Sequence, residues 1–171
     1  NPEDFKGLTM RTFSSGDAET LRALGAAPTV MSSSEMYMAL QRGTVEGATT
    51  GMPAAVSRKI HEVQKFMTMA NYTTAQFTVQ GNLDWWKKLS DAQKDAVLKA
   101  GLDAEAWIRQ AIEESETEAE NVIRGAGVEI HVLSAEERAL FIEATETVRK
   151  AFAEKTGEVG KKLIEMALAV D

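Results

Sequence analysis

Apolar and polar residues follow two periods along the chain, the two-residue period of strands and the three- to four-residue period of helices. In the first part of the chain, segments with one period alternate with segments that have the other. Residues 8–13 alternate as a strand does, and residues 27–31 and 44–50 have the composition of further strands. Between and after these segments, apolar residues recur at three- and four-residue steps that predict helices. The resulting order β-α-β-α-β-α favours a small parallel sheet with right-handed crossovers.

Capping and turn residues set the predicted limits of these helices. Gly25 is expected to end the first helix. Ser32 and Glu35 form a capping-box pattern that predicts the start of the second helix, which should stop at Gly43. Pro53 is acceptable at a first helical position and predicts the start of the third helix. One face of that helix carries its apolar residues, Val56, Ile60 and Val63.

The middle of the chain predicts two more strands and a short helix. The strands are expected at residues 65–69 and 76–81, and the pattern supports the second better than the first. Asn82 then predicts the cap of a short helix that carries Trp85 and Trp86.

A long helix is predicted from the capping box of Ser90 and Gln93 to about Gly125. At 1.5 Å per residue it would be ~50 Å long. A globule of this chain length should be only ~40 Å across. We therefore expect the helix to extend beyond the domain or to break near Gly101, and to pack against a second lobe or a second subunit.

The last part of the chain predicts one strand and two helices. Residues 128–133 alternate, which points three side chains inward: Val128, Ile130 and Val132. Ser134 and Glu137 form another capping box, and the helix that follows has an apolar stripe that continues to Phe152. Gly157 separates this helix from the last one.

Composition narrows the class of protein. The 171-residue chain has a formal net charge of −7, which argues against a nucleic-acid-binding surface. The sequence has no cysteine, so disulfides, thiolate metal sites and cysteine catalysis are excluded. No apolar run is long enough to cross a membrane. Because the sequence starts with Asn1 rather than Met, we expect a processed or truncated chain.

Catalytic motifs and metal-ligand spacings are lacking in the sequence. His61 and His131 are far apart in sequence, and beyond the nearby Glu62 and Glu129 neither has a further ligand at metal-binding spacing. We predict no metal, no cofactor and no enzymatic activity.

Two positions in the predicted sheet indicate a ligand site. Thr49, Thr50 and Gly51 end the third strand, and ligands bind beyond the carboxyl ends of strands in open α/β sheets. Arg11 lies in the middle of the first strand, where its charge is costly unless an anion meets it. Its planar guanidinium can bind a carboxylate through two parallel hydrogen bonds. The alternatives for Arg11 are a structural salt bridge and a side chain that extends to solvent.

Four segments of the sequence carry a family resemblance. They read FKGLTMRTF (residues 5–13), EMYMALQRGTVEGA (35–48), SRKIHEVQKFMT (57–68) and NLDWWKKLSDAQKDAV (82–97). In this order they resemble the extracytoplasmic solute-binding proteins of tripartite ATP-independent periplasmic (TRAP) transporters. The resemblance implies the C-terminal part of such a protein: a periplasmic-binding-protein-like α/β lobe with a small parallel or mixed sheet, a long bracing helix and C-terminal helices, with the N-terminal lobe absent.

The resemblance also implies four parts along the sequence. Residues 1–74 would form the ligand-binding α/β lobe, and residues 75–89 a crossover strand and short helix toward the missing lobe. Residues 90–126 would form the bracing helix. Residues 127–171 would form a strand and C-terminal helices that pack on the lobe.

Several site residues follow from the resemblance. Arg11 would bind the substrate carboxylate, and Ser14 would line the same pocket mouth unless it serves only the turn. Ser33 and Thr50 match positions whose side chains face the ligand, although helix capping is the alternative for Ser33. Sialic-acid binders of the family often have an aromatic residue and an asparagine there, so the hydroxyl residues disfavour sialic acid. Thr49 is a less favoured candidate, because one of two adjacent strand residues points away from the cleft. The same holds for Met52.

The implied function is the capture of a small carboxylate-containing organic anion in the periplasm and its delivery to the membrane permease subunits of a TRAP-type transporter. Monocarboxylates, dicarboxylates, keto acids and sugar acids all fit a single arginine. The alternative function is a helical assembly module that forms a homodimer through the long helix and binds no small molecule.

Overall fold

The order of the elements follows the sequence pattern. A computed structural model describes residues 1–74 and 77–169. The strands are β1 (Thr9–Thr12), β2 (Ala27–Val30), β3 (Gly47–Ala48), β4 (Phe66–Met69) and β5 (Glu129–Val132). The helices are α1 (Ser15–Ala23), α2 (Met36–Gln41), α3 (Met52–Ser57), α4 (Leu83–Lys87), α5 (Asp91–Gly125), α6 (Ala135–Ala144) and α7 (Glu146–Leu168). Short 3-10 helices lie at Pro2–Phe5 and Ile60–Glu62.

The strands form two small parallel sheets. The first has the order β2-β1-β3, with Arg11 opposite Thr29 on one side and Ala48 on the other. The second pairs β4 with β5, so that Phe66 lies opposite Glu129. The predicted α/β class with a small parallel sheet is confirmed. The central position of β1 buries Met10, Arg11 and Thr12, so the strand is covered on both faces.

The third strand is much shorter than the predicted span of residues 44–50. The amides of Thr44 and Val45 both donate to the carbonyl of Ala39, so these residues complete the turn after α2 instead of a sheet ladder. Val45 is buried in that turn. The sheet pairing is confined to Gly47 and Ala48, opposite β1.

The second of the two strands predicted in the middle of the chain, at residues 76–81, does not form over residues 77–81. Residues 77–81 have no strand assignment, and Phe77 and Val79 are 94% and 105% exposed. Gln76 lies outside the described residues. The less favoured segment does form a strand, because β5 supplies the parallel partner that its backbone requires.

Two helix limits differ from the capping signals. The second helix starts at Met36, after a turn at 33–35, and not directly after Ser32. The Glu35 carboxylate accepts from the Ser32 amide, but the Ser32 hydroxyl is bonded to that carboxylate instead of the Glu35 amide, so the reciprocal capping bond is missing. Helix α3 ends at Ser57, short of Val63, because Lys59 turns the chain in a left-handed conformation with φ of 57°.

Helix α5 is continuous over 35 residues and is not broken at Gly101. Its capping box of Ser90 and Gln93 is present as predicted. Its buried residues, Ala119 and Ile123, both lie near its C-terminal end, where the helix packs on α3. Toward the other end the large apolar side chains of the helix are exposed: Val97, Leu98, Leu102, Trp107, Ile108 and Ile112.

The C-terminal elements fit the pattern with two exceptions. Val132 was expected to point inward but is 60% exposed, whereas Val128 is buried. The helix expected to continue to Phe152 is broken at Thr145, whose hydroxyl donates to the carbonyl of Phe141. The predicted break at Gly157 is confirmed, since this residue interrupts α7 with a φ of 64°.

The main core joins elements that are far apart in sequence. Its buried side chains come from α2, α3, the end of α5 and the residues around them: Met36, Ala39, Leu40, Val45, Ala55, Ile60, Ile123 and Val128. A smaller cluster of Met10, Leu21 and Ala26 packs α1 against the first sheet. The four-part division of the sequence stays a prediction. Within the described ranges, no helix combines the length and apolarity needed to cross a bilayer.

Ile123 should be the residue that fixes α5 to the core, because its side chain is fully buried there. We expect Ile123→Ala to lower the free energy of unfolding by about 2–5 kcal/mol in a urea titration. Ile112→Ala is the matched control on the same helix, since Ile112 is half exposed, and it should change stability by about 0.5 kcal/mol or less. Equal losses for the two variants would contradict this anchoring.

Candidate functional site

The carboxyl ends of three parallel strands meet at one edge of the first sheet. Ser14 follows β1, Ser33 follows β2, and Thr49 and Thr50 follow β3. The sheet therefore brings all the predicted site residues to the edge where open α/β sheets bind ligands. The order of the strands and their parallel pairing are sufficient for this arrangement.

Arg11 is fixed across that edge by backbone carbonyls. Its Nε and Nη2 donate to the carbonyl oxygen of Met31 at 3.0 and 2.9 Å, and its Nη1 donates to the carbonyl of Thr49 at 2.8 Å. Met31 and Thr49 directly follow β2 and β3, so one side chain links both neighbours of β1. A guanidinium has five N–H groups. Three are used here, and one remains on each terminal nitrogen.

The charge of Arg11 is desolvated without a direct counterion. The residue is 3% exposed. Burial lowers the pKa of the guanidinium; the charge of Asp17 acts against this shift, and the charge of Arg58 adds to it. Arginine nevertheless stays protonated at neutral pH. In the part of the protein that the structure describes, Arg11 bonds carbonyl oxygens and makes no salt bridge, so the structural ion-pair alternative gains no support.

Asp17 is a site residue that the sequence analysis missed. It lies in the first turn of α1 and is 6% exposed. Its carboxylate accepts hydrogen bonds from the hydroxyls of Thr12, Thr49 and Tyr72. Burial, followed by the hydrogen bond to Asp17, raises the pKa of the Tyr72 phenol. An acidic residue in a first helical turn is so common that its sequence position gave no distinguishing signal.

Two of the predicted site residues are used inside the fold. Ser14 caps α1, with its hydroxyl accepting from the Asp17 amide at 3.1 Å, so the turn chemistry considered for it is present. The Thr49 hydroxyl donates to the Asp17 carboxylate, and the Thr49 carbonyl accepts from Arg11. Both residues support the carboxyl edge of the first sheet around Arg11, called the Arg11 edge below. The hydroxyl and carbonyl of Thr49 are already bonded within the fold, so they are less available to a ligand than expected.

Ser33 and Thr50 have a different status. Both are partly buried, and within residues 1–74 and 77–169 neither side chain makes a hydrogen bond. Ser33 does not cap α2, which begins at Met36. Met52 packs against the main core. The hydroxyls of Ser33 and Thr50 are thus available at this edge, together with the two remaining N–H groups of Arg11.

A concavity of about 550 Å³ lies elsewhere in the described lobe. It is lined by residues 61–66 and by residues 126–129, which include the turn before β5. This position is at the amino end of the second sheet, away from Arg11. Among the described residues, no group of three or more His, Cys, Asp or Glu residues could hold a metal ion.

Comparisons with known proteins match the whole region that builds the Arg11 edge. The family described as "Bacterial extracellular solute-binding protein, family 7" matches residues 1–156. The C4-dicarboxylate-binding periplasmic protein DctP of Rhodobacter capsulatus is 35% identical over 91% of this chain and 47% of its own. The sialic acid-binding periplasmic protein SiaP of Vibrio cholerae is 32% identical over 91% of this chain and 48% of its own.

A solved structure gives the same result for the fold. A TRAP periplasmic solute-binding protein from Roseobacter denitrificans, with bound β-D-glucuronate, has a TM-score of 0.87 and 25% identity. The match covers 100% of this chain and 56% of that protein. The chain spans about half the length of the curated relatives it matches. The chain belongs to the bacterial extracellular solute-binding proteins of family 7, the family of the TRAP periplasmic solute-binding proteins.

Proposed function

We propose that this chain supplies one half of a binding site for a small organic anion and that Arg11 binds the carboxylate of that anion. The observation that carries the proposal is the buried guanidinium, which has two N–H groups left and no salt bridge among the described residues. A desolvated cation is costly unless an anion compensates it. A ligand carboxylate would complete this charge pair.

The ligands named for similar proteins agree in their chemistry. They are C4-dicarboxylates, sialic acid and glucuronate, and all three carry a carboxylate. Ser33 and Thr50 would add hydroxyl contacts to the polar part of the ligand. Because both side chains are short, we favour an acid that differs from sialic acid in size or shape.

The other half of the site would come from a second lobe. The relatives are about twice as long as the matched chain, and the apolar residues along α5 are exposed where a second lobe would cover them. Closure of two lobes would desolvate the anion and shift the protein toward a closed state that binds it more tightly. The protein would work in the periplasm, deliver the anion to the membrane subunits of a transporter and catalyse no reaction.

The assembly alternative rests on the same exposed side chains of α5. A homodimer through this helix would cover them without any small molecule. The comparisons support a solute-binding family and give no support to dimerisation, so we place the binding function first.

Half a site should bind weakly. We expect calorimetric titration of the protein with D-glucuronate or succinate to give a Kd of about 1 mM or weaker, equivalent to a binding free energy of roughly −4 kcal/mol. The reason is that residues 1–171 alone would supply neither the contacts nor the desolvation that a second lobe provides. Micromolar binding by this chain would contradict the half-site proposal.

Replacement of Arg11 tests the carboxylate contact directly. Lysine keeps the charge but cannot reproduce the planar fork that links Met31, Thr49 and a carboxylate. We expect Arg11→Lys to raise the apparent Kd for D-glucuronate about tenfold. The Kd is measured from the NMR shifts of the Ser33 and Thr50 amides during the titration. Arg42→Lys, at an exposed position after α2, is the control and should bind as the wild type does. Equal affinity for all three proteins would refute the role of Arg11.

A further inference from the structure

The Asp17 carboxylate joins three segments that are distant in sequence. Its hydroxyl partners are Thr12 on β1, Thr49 after β3 and Tyr72 after β4. All three partners donate, so the acceptor capacity of the carboxylate is well used. A buried charge held by hydroxyl donors depends on each of them, because each lost bond leaves part of the charge unsatisfied.

Thr49 continues this network to Arg11. Its hydroxyl donates to Asp17, its carbonyl accepts from the Arg11 Nη1 at 2.8 Å, and its amide donates to the Arg11 carbonyl at 3.0 Å. A shift of Thr49 would therefore move a carbonyl that orients the guanidinium. An unbroken series of hydrogen bonds leads from Tyr72 through Asp17 and Thr49 to Arg11.

Tyr72 lies where the backbone leaves the lobe. Strand β4 ends at Met69, and Asn71 then turns the backbone with a φ of 47°, a left-handed conformation that asparagine tolerates better than most residues. Beyond Tyr72, residues 73–74 and 77–85 are exposed. The phenol hydroxyl is thus a fastening point for a segment that otherwise has few contacts with the described lobe.

We propose that Asp17 and Tyr72 are positioning residues for the carboxylate site. Tyr72 fastens the segment after β4 to Asp17, and Asp17 fixes Thr49 and, through it, the Arg11 guanidinium. The geometry of the anion site is thereby coupled to the position of the segment that leaves the lobe. This inference rests on the proposed function only in its assumption that Arg11 binds the ligand.

The coupling can be measured in the protein without ligand. Tyr72→Phe removes one hydroxyl, and Asp17→Asn keeps the shape of its side chain while changing its charge. By NMR, we expect each variant to speed hydrogen exchange of the Thr49 amide on the order of tenfold. The double variant should exchange no faster than Asp17→Asn alone, because Tyr72 acts on Thr49 only through the Asp17 side chain. Tyr37→Phe removes the other tyrosine hydroxyl of the sequence, on α2, and should change nothing.

A second amide separates positioning from general destabilisation. The Ala27 amide donates to the Leu8 carbonyl at the opposite end of the same sheet. Its exchange should stay at the wild-type rate in Tyr72→Phe. Equal acceleration at Ala27 and Thr49, no acceleration at Thr49, or additive effects in the double variant would each overturn the proposal. Because Tyr72 is 47% exposed and the substitution removes only its hydroxyl, Tyr72→Phe decides the question even if Asp17→Asn does not fold.

Ligand titration keeps this inference distinct from the proposed function. In the wild-type protein, D-glucuronate should shift the Arg11 Nε–Hε resonance, and Tyr72→Phe should weaken its apparent affinity about five- to tenfold. Normal affinity in Tyr72→Phe would overturn the positioning role and leave the anion site intact. If D-glucuronate and succinate shift no resonance of the wild type, the proposed function fails, and the exchange experiment still decides whether Asp17 and Tyr72 position Arg11.

Discussion

The structure around the candidate site depends on one buried guanidinium. Arg11 occupies the central strand of a three-stranded parallel sheet and donates to carbonyl oxygens after both neighbouring strands. Backbone carbonyls satisfy hydrogen bonds but supply no negative charge. The same contacts order the carboxyl edge of the sheet and leave the desolvated guanidinium without a salt bridge in the described part of the chain, with the charge of Asp17 opposing it only indirectly. This is the basis on which we propose the edge as a carboxylate site.

Other features of the fold support that edge. Thr12 and Thr49 hold Asp17 next to the strand ends, and Ser14 caps the helix that carries it. The end of α5 is anchored by Ile123, whereas the rest of this helix exposes apolar side chains. The length of the relatives indicates a second lobe. Such a lobe would complete the side of the site opposite Arg11 and would cover the exposed apolar side chains of α5.

The sequence predicted most elements because local signals determined them, as at Ser90, Ser134 and Gly157. It failed where tertiary pairing decides, since residues 77–81 have a strand pattern without a strand partner, whereas β4 has β5. The cost of a buried charge and the family resemblance both tied Arg11 to an anion, and that link stays a prediction. The Asp17 network was missed, because three hydroxyls from distant segments converge on it only after folding.

The most direct test compares two ligands that differ in one group, D-glucuronate and D-glucose, by NMR observation of the Arg11 Nε–Hε resonance. If Arg11 lacks a counterion and a ligand carboxylate supplies it, glucuronate shifts this resonance in a saturable manner and glucose does not. Equal shifts with both sugars, or a resonance unaffected by glucuronate at concentrations well above the expected Kd, would contradict the role of Arg11 as the carboxylate-binding group.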